Sequence, residues 1–118
     1  MLGFGTVFLD IDRDGVAWVA LASGHMASFD RRKCEGPLNG PQATGQHCPG
    51  GWSFYTEPLP QFKNLNRPGS SEGSYYTWVD QFNALGLGEN IPINTGNQSE
   101  ALLLLKDGEW VRMRVPYP

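Results

Sequence analysis

Asp10, Asp12 and Asp14, in the run Asp10-Ile-Asp12-Arg-Asp14-Gly15, are the residues whose spacing points first to chemistry. Carboxylates at alternate positions before a glycine turn can converge on one hard cation, as at the start of a calcium loop. Counted from Asp10, the twelfth position, where an EF-hand places its bidentate acid, is Leu21. The full pattern therefore fails, and only the short Asp-x-Asp-x-Asp-Gly run argues for Ca2+. Asp14-Gly15 between apolar runs is also a hairpin signal, so a solvated turn accounts for the same residues.

Cys34 and Cys48 enclose a loop of about 15 residues rich in Pro and Gly. A bridge between them would tie the exit of one strand to the entry of the next, and a disulfide is the expected state; two free thiols are the other. Two cysteines and His47 are too few for a structural zinc site, which takes four ligands. His47 and Cys48 as a nucleophile pair would lack a third, orienting group.

His25 follows the Ser23-Gly24 turn, where a histidine serves as ligand, acid/base or solvated turn residue. Tyr75, Tyr76 and Trp78 lie beside small polar residues and would stack on a sugar or another flat apolar face. With Tyr75–Phe82 read as a strand, Tyr76 and Trp78 share one face and Tyr75 takes the other, so burial of at least one face is expected.

These residues are positioned by short strands. Thr6–Ile11, Val16–Ala22 and Met26–Phe29 are separated by Asp14-Gly15 and Ser23-Gly24, two tight-turn pairs. The second strand is apolar on both faces, with Val16, Trp18, Ala20 and Ala22 on one and Ala17, Val19 and Leu21 on the other. An antiparallel strand with one wet face would alternate with polar residues, so this sheet is expected to be covered on both sides. A turn-rich insertion, Arg31–Gly51, precedes a fourth strand, Trp52–Thr56, which Pro58 and Pro60 end. Residues 61–74 read as a polar connection. The second half repeats the plan with Tyr75–Phe82, Asn90–Asn94, Glu100–Leu105, a Lys106-Asp107-Gly108 turn and Glu109–Val115. A Trp-led strand closed by proline ends both halves: Trp52 to Pro58 and Trp110 to Pro116.

The order of elements in the first half is Asp12-Arg-Asp-Gly15, Val16-Ala-Trp-Val19, Ser23-Gly24, Ser28-Phe-Asp-Arg31, then Trp52 to Pro58. It resembles the repeat of the streptogramin B lyase-like β-propellers, well over residues 5–60 and loosely over 75–118. The resemblance implies an all-β, mainly antiparallel fold of two four-stranded blade-like meanders, 5–60 and 75–118, in a single unit spanning 1–118. It also implies about two blades of a larger bacterial, exported propeller. The family's lyase uses His and Glu with magnesium; no Glu-x-His occurs here, so no catalytic residue is carried over. Propellers close with four to eight blades, so two leave faces that copies of the chain or parent blades would cover. Three copies would make a six-bladed ring.

Composition bounds the rest. With 118 residues the chain is one domain or less. Fifteen glycines, nine prolines, four Trp and six Phe suit many short strands. A net charge of −3 supplies no basic stripe for phosphates, so no nucleic-acid partner is expected. Apolar runs such as Ala101–Leu105 are too short to span a bilayer, so no membrane partner is expected either. The first residues lack a basic n-region and do not read as a signal peptide. An exported parent with Cys34 and Cys48 bridged would place the chain in the periplasm or outside the cell; a whole gene product would be cytoplasmic. The expected function is a non-enzymatic propeller-type binding and assembly module without a resident cofactor. The alternatives are an enzyme fragment, lyase-like or metal-dependent, with a site shared between blades, and a small folded product of a truncated or mobile gene with no parental activity retained.

Overall fold

The computed structural model of the chain describes residues 5–59, 61, 63–64 and 69–116. The first four residues and part of the 61–74 connection discussed above lie outside this set. Among the described residues eight strands are formed: β1 Thr6–Ile11, β2 Ala17–Leu21, β3 His25–Phe29, β4 Trp52–Thr56, β5 Thr77–Asp80, β6 Ile91–Gly96, β7 Ala101–Lys106 and β8 Glu109–Arg114. They make two antiparallel four-stranded sheets, each in chain order, β1-β2-β3-β4 and β5-β6-β7-β8. The fold is all-β. No helix among the described residues is long and apolar enough to cross a membrane.

Strand limits shift where side chains or turns intervene. β3 begins at His25, not Met26. Gly24, at φ 77°, donates its N–H to the Leu21 carbonyl at 3.0 Å, so Leu21 and His25 pair directly across the turn. A β-carbon on Gly24 would clash with the Ser70 backbone, so only glycine fits this turn. β5 starts at Thr77 rather than Tyr75, because Thr95 Oγ1 accepts from both the Tyr75 and Tyr76 N–H groups at 3.2 and 3.1 Å. β6 runs on to Gly96, and holds Pro92 where pairing to β7 has not begun; its missing N–H costs no ladder bond there.

Strand pairing assigns every side chain to a face. On the first sheet, Asp10, Trp18, Ala20, Met26, Ser28 and Tyr55 share one face, and Leu9, Ile11, Val19, Leu21, Ala27, Trp52 and Phe54 the other. On the second, Thr77, Val79, Asn94, Leu103, Leu105 and Trp110 share one face, and Trp78, Ile93, Leu104, Val111 and Met113 the other. The first-named faces look toward each other. Val79 N–H donates to Asp10 Oδ2 at 2.8 Å, Trp110 Nε1 to the Thr56 carbonyl at 2.8 Å, and Gln81 Nε2 to the Ile11 carbonyl at 2.8 Å. Ala20, Met26, Leu103 and Leu105 are buried on these inner faces. The outer faces hold their own apolar clusters: Val19, Leu21 and Ala27 on the first sheet, and Ile91, Ile93 and Leu104 with Leu87, Leu102 and Val111 on the second.

The sheets are structural repeats. Trp52 opens β4 and Trp110 opens β8 after Glu109. Asp12 and Asp80 each cap the turn after the first strand of their sheet, Asp12 accepting from Asp14 and Val16 and Asp80 from Ala84 and Leu85. Each third–fourth strand pair is closed at the same place, by Glu57 N–H to the Gly24 carbonyl in one sheet and Val115 N–H to the Glu100 carbonyl in the other.

Candidate functional site at the seam between the sheets

The polar groups gathered by the fold lie along the seam. Glu57 follows β4 on the inner side, and its Oε1 accepts from Asn94 Nδ2 at 2.8 Å; Asn94 in turn accepts from Thr77 Oγ1 at 2.7 Å. Glu72 Oε1 accepts from the Gln98 N–H at 2.7 Å, at the turn after β6. Glu57 is 0% and Glu72 1% exposed. Their second oxygens, and the Ser74 hydroxyl, have no hydrogen-bond partner among the described residues.

Burial pushes the Glu57 carboxyl up to about 7; the hydrogen bond from Asn94 opposes the rise and the Glu72 charge adds to it. Glu57 therefore sits between its protonated and ionised forms at neutral pH. The site can hold a proton. Covered by both sheets, it offers no open approach to a substrate. Nothing in the sequence marks it: Glu57 precedes a proline at a strand end, and its partner Asn94 lies in another sheet.

The aspartate run is used structurally. Asp12 Oδ1 accepts from Asp14 N–H at 2.9 Å and Val16 N–H at 3.0 Å, and Oδ2 from Trp18 Nε1 at 3.0 Å. Asp10 Oδ2 serves Val79 across the seam, and Asp14 Oδ2 accepts from Asn90 Nδ2 at 3.4 Å. The carboxylates thus face separate partners. Among the described residues no group of three His, Cys, Asp or Glu side chains is placed to hold a metal ion. Arg13 extends the same seam: its N–H donates to Asn90, its guanidinium pairs with Glu89 at 3.2 Å, and it lies 4.8 Å over the Phe82 ring.

His25 is not a solvated turn residue. Inside β3 it is 3% exposed, on the outer side of the first sheet, with Nδ1 3.0 Å from Ser23 Oγ. Tyr75 and Tyr76 precede β5, and Phe8 packs on them with centroids at 6.1 and 4.6 Å. All three rings are exposed, as is Trp78; the burial expected of one face of this segment falls on Thr77 and Val79, which look toward the first sheet. Trp78 lies on the outer face of the second sheet, and His25 is in β3, whereas the tyrosines pack on Phe8 of β1. The four candidate ligand-binding residues are therefore in three places.

Cys34 and Cys48 are bridged, with Cα atoms 5.2 Å apart. The bridge closes the insertion between β3 and β4, whose base is held by Asp30 N–H to the Gly51 carbonyl at 2.9 Å. Asp30 caps the turn at Arg31–Lys33 and pairs with Arg32 at 2.9 Å, which holds the Asp30 carboxyl below its ordinary range. Between this loop and the outer face lies a cleft of about 340 Å3 lined by Phe29, Leu38, His47 and Trp52.

No family model matches the chain, and no curated protein matches its sequence. Among solved structures the chain is similar to one described as a streptogramin B lyase structure, at 12% identity and a TM-score of 0.32, over 98% of this chain. The chain spans 56% of the length of that structure.

Proposed function

We propose that this protein is a non-enzymatic, propeller-type β-module that assembles through the outer faces of its two sheets and presents a rim to a ligand. The observation that carries the reading is the state of those faces. Leu9, Ile11, Trp52 and Phe54 stand exposed on one, and Trp78 and Met113 on the other. Apolar faces at both ends of a two-sheet stack mark interaction surfaces rather than ordinary surface. Phe8, Tyr75 and Tyr76, clustered and open, supply the rim with flat faces for a sugar ring or another apolar surface.

Solution mass tests the reading. Light scattering across a concentration series is expected to show a multiple of the chain mass. A monomer at the highest concentration, with a sharp cooperative melt, would overturn it. A metal-dependent site shared between the sheets is the second reading, favoured by the unpartnered oxygens of Glu57 and Glu72. A Mg2+-dependent rise in melting temperature, lost in Glu57→Gln, would displace the non-enzymatic reading.

A further inference from the structure

The seam inside the chain is a template for a seam between chains. Because the sheets repeat, each outer face has an inner counterpart in the other sheet. Trp52 on the outer face of the first sheet corresponds to Trp110 on the inner face of the second. Thr56, which accepts from the Trp110 indole, corresponds to Arg114, since Glu57–Gly24 and Val115–Glu100 are the matching backbone bonds one residue on. The Trp52 indole thus stands where Trp110 stands, with no acceptor among the described residues.

Side-chain chemistry differs between the two settings at the corresponding positions. Inside the chain, Glu57 meets Asn94. The corresponding positions at the free ends are Val115 and Val19, both apolar. Inside the chain, Asp10 accepts from the Val79 N–H. The corresponding positions are Trp78 and Ile11, again both apolar and both exposed. Two polar contacts of the inner seam, those of Glu57 and Asp10, have apolar residues at their free-end counterparts, whereas the Trp110–Thr56 bond keeps its donor there as Trp52. Each lone change would leave a polar group facing an apolar one.

We propose that the outer face of the first sheet docks on the outer face of the second sheet in another copy of this chain, head to tail, with the Trp52 indole N–H donating to the second copy's Arg114 carbonyl. This rests on the self-assembly reading above and specifies its contact. Such a contact is heterologous: it uses different faces on the two copies, and it closes into a ring when the rotation allows.

Complementary blocking tests it. Phe54→Glu blocks the first face and Met113→Glu the second; Leu9→Glu and Val115→Glu are second choices if either variant loses its cooperative melt. Each variant alone is expected to be monomeric. An equimolar mixture is expected to form a dimer of twice the chain mass, through the one intact pair of faces. Trp52→Phe, in otherwise unchanged protein, is expected to weaken assembly about tenfold, the effect of one hydrogen bond. Assembly of the unblocked chain with no dimer in the mixture overturns the head-to-tail contact and leaves the self-assembly reading standing. Dimers of either blocked variant alone show a like-to-like contact and overturn it too. A monomeric unblocked chain overturns both, and assigns the faces to sheets of another chain.

Discussion

Trp110 on β8 donates its indole N–H to the Thr56 carbonyl at the end of β4, 2.8 Å away, and so joins the outermost strands of the two sheets. The opposite edge strands, β1 and β5, are joined by Asp10 and Val79. The two bonds fix the relation of the sheets at both margins, with buried apolar side chains of both inner faces between them. Trp110→Phe keeps the ring and removes the donor. It is expected to lower stability by about 1 kcal/mol, read from urea denaturation with an unchanged m-value. No loss would show that the bond does not hold the seam.

The buried acid makes stability depend on pH in an unusual direction. The Glu57 carboxyl is raised from 4.5 to about 7 in the folded chain. The folded state therefore binds more protons than the unfolded state between those values, and stability falls as pH rises through that window. The loss from pH 4.5 to pH 8 is on the order of 3 kcal/mol at most. Glu57→Gln is expected to flatten the profile and raise the melting temperature at pH 8. A profile that rises over the same window in the parent chain would contradict the assignment.

Reduction of Cys34–Cys48 releases the insertion between β3 and β4. A loop of this size implies a loss of about 3 kcal/mol, arising chiefly in the unfolded chain. Because Trp52 and Phe29 pack together at 4.9 Å beside the loop, the reduced protein is also expected to bury its outer-face tryptophan less well. Denaturation with and without reductant, followed by tryptophan fluorescence, measures both.

Asp12 accepts three hydrogen bonds, so Asp12→Ala is expected to cost about 2 to 3 kcal/mol, with the Trp18 indole left without its acceptor. Since the three aspartates serve separate partners, calcium is expected to leave the melting temperature of the parent chain unchanged. A calcium-dependent rise that Asp12→Ala removes would instead place a cation in this turn.

Much of the architecture was legible because it is local. Asp14-Gly15, Ser23-Gly24 and Asp107-Gly108 announce their hairpins, and hairpin register follows from the turn. The two-faced apolarity of β2 follows from alternation alone: Val19 and Leu21 lie on the outer face, Trp18 and Ala20 on the inner. The candidate site was much less legible. His25, placed after a turn, left ligand, acid/base and solvated roles open; the tight Gly24 bend returns the chain to the ladder at once and buries it. Tyr75 was expected in a strand because it lies in an aromatic run; Thr95 Oγ1 draws its N–H away.

By itself, the amino-acid sequence determined the all-β class, the strands and their turns, since period-two patterning and turn chemistry act between near neighbours. Only the tertiary structure decided that Asp10 turns away from Asp12 and Asp14 to accept from Val79, and that Glu57 is buried against Asn94. Each of these depends on which sheet face comes to lie on which. That arises from apolar burial summed over whole faces, a quantity no local run of residues contains.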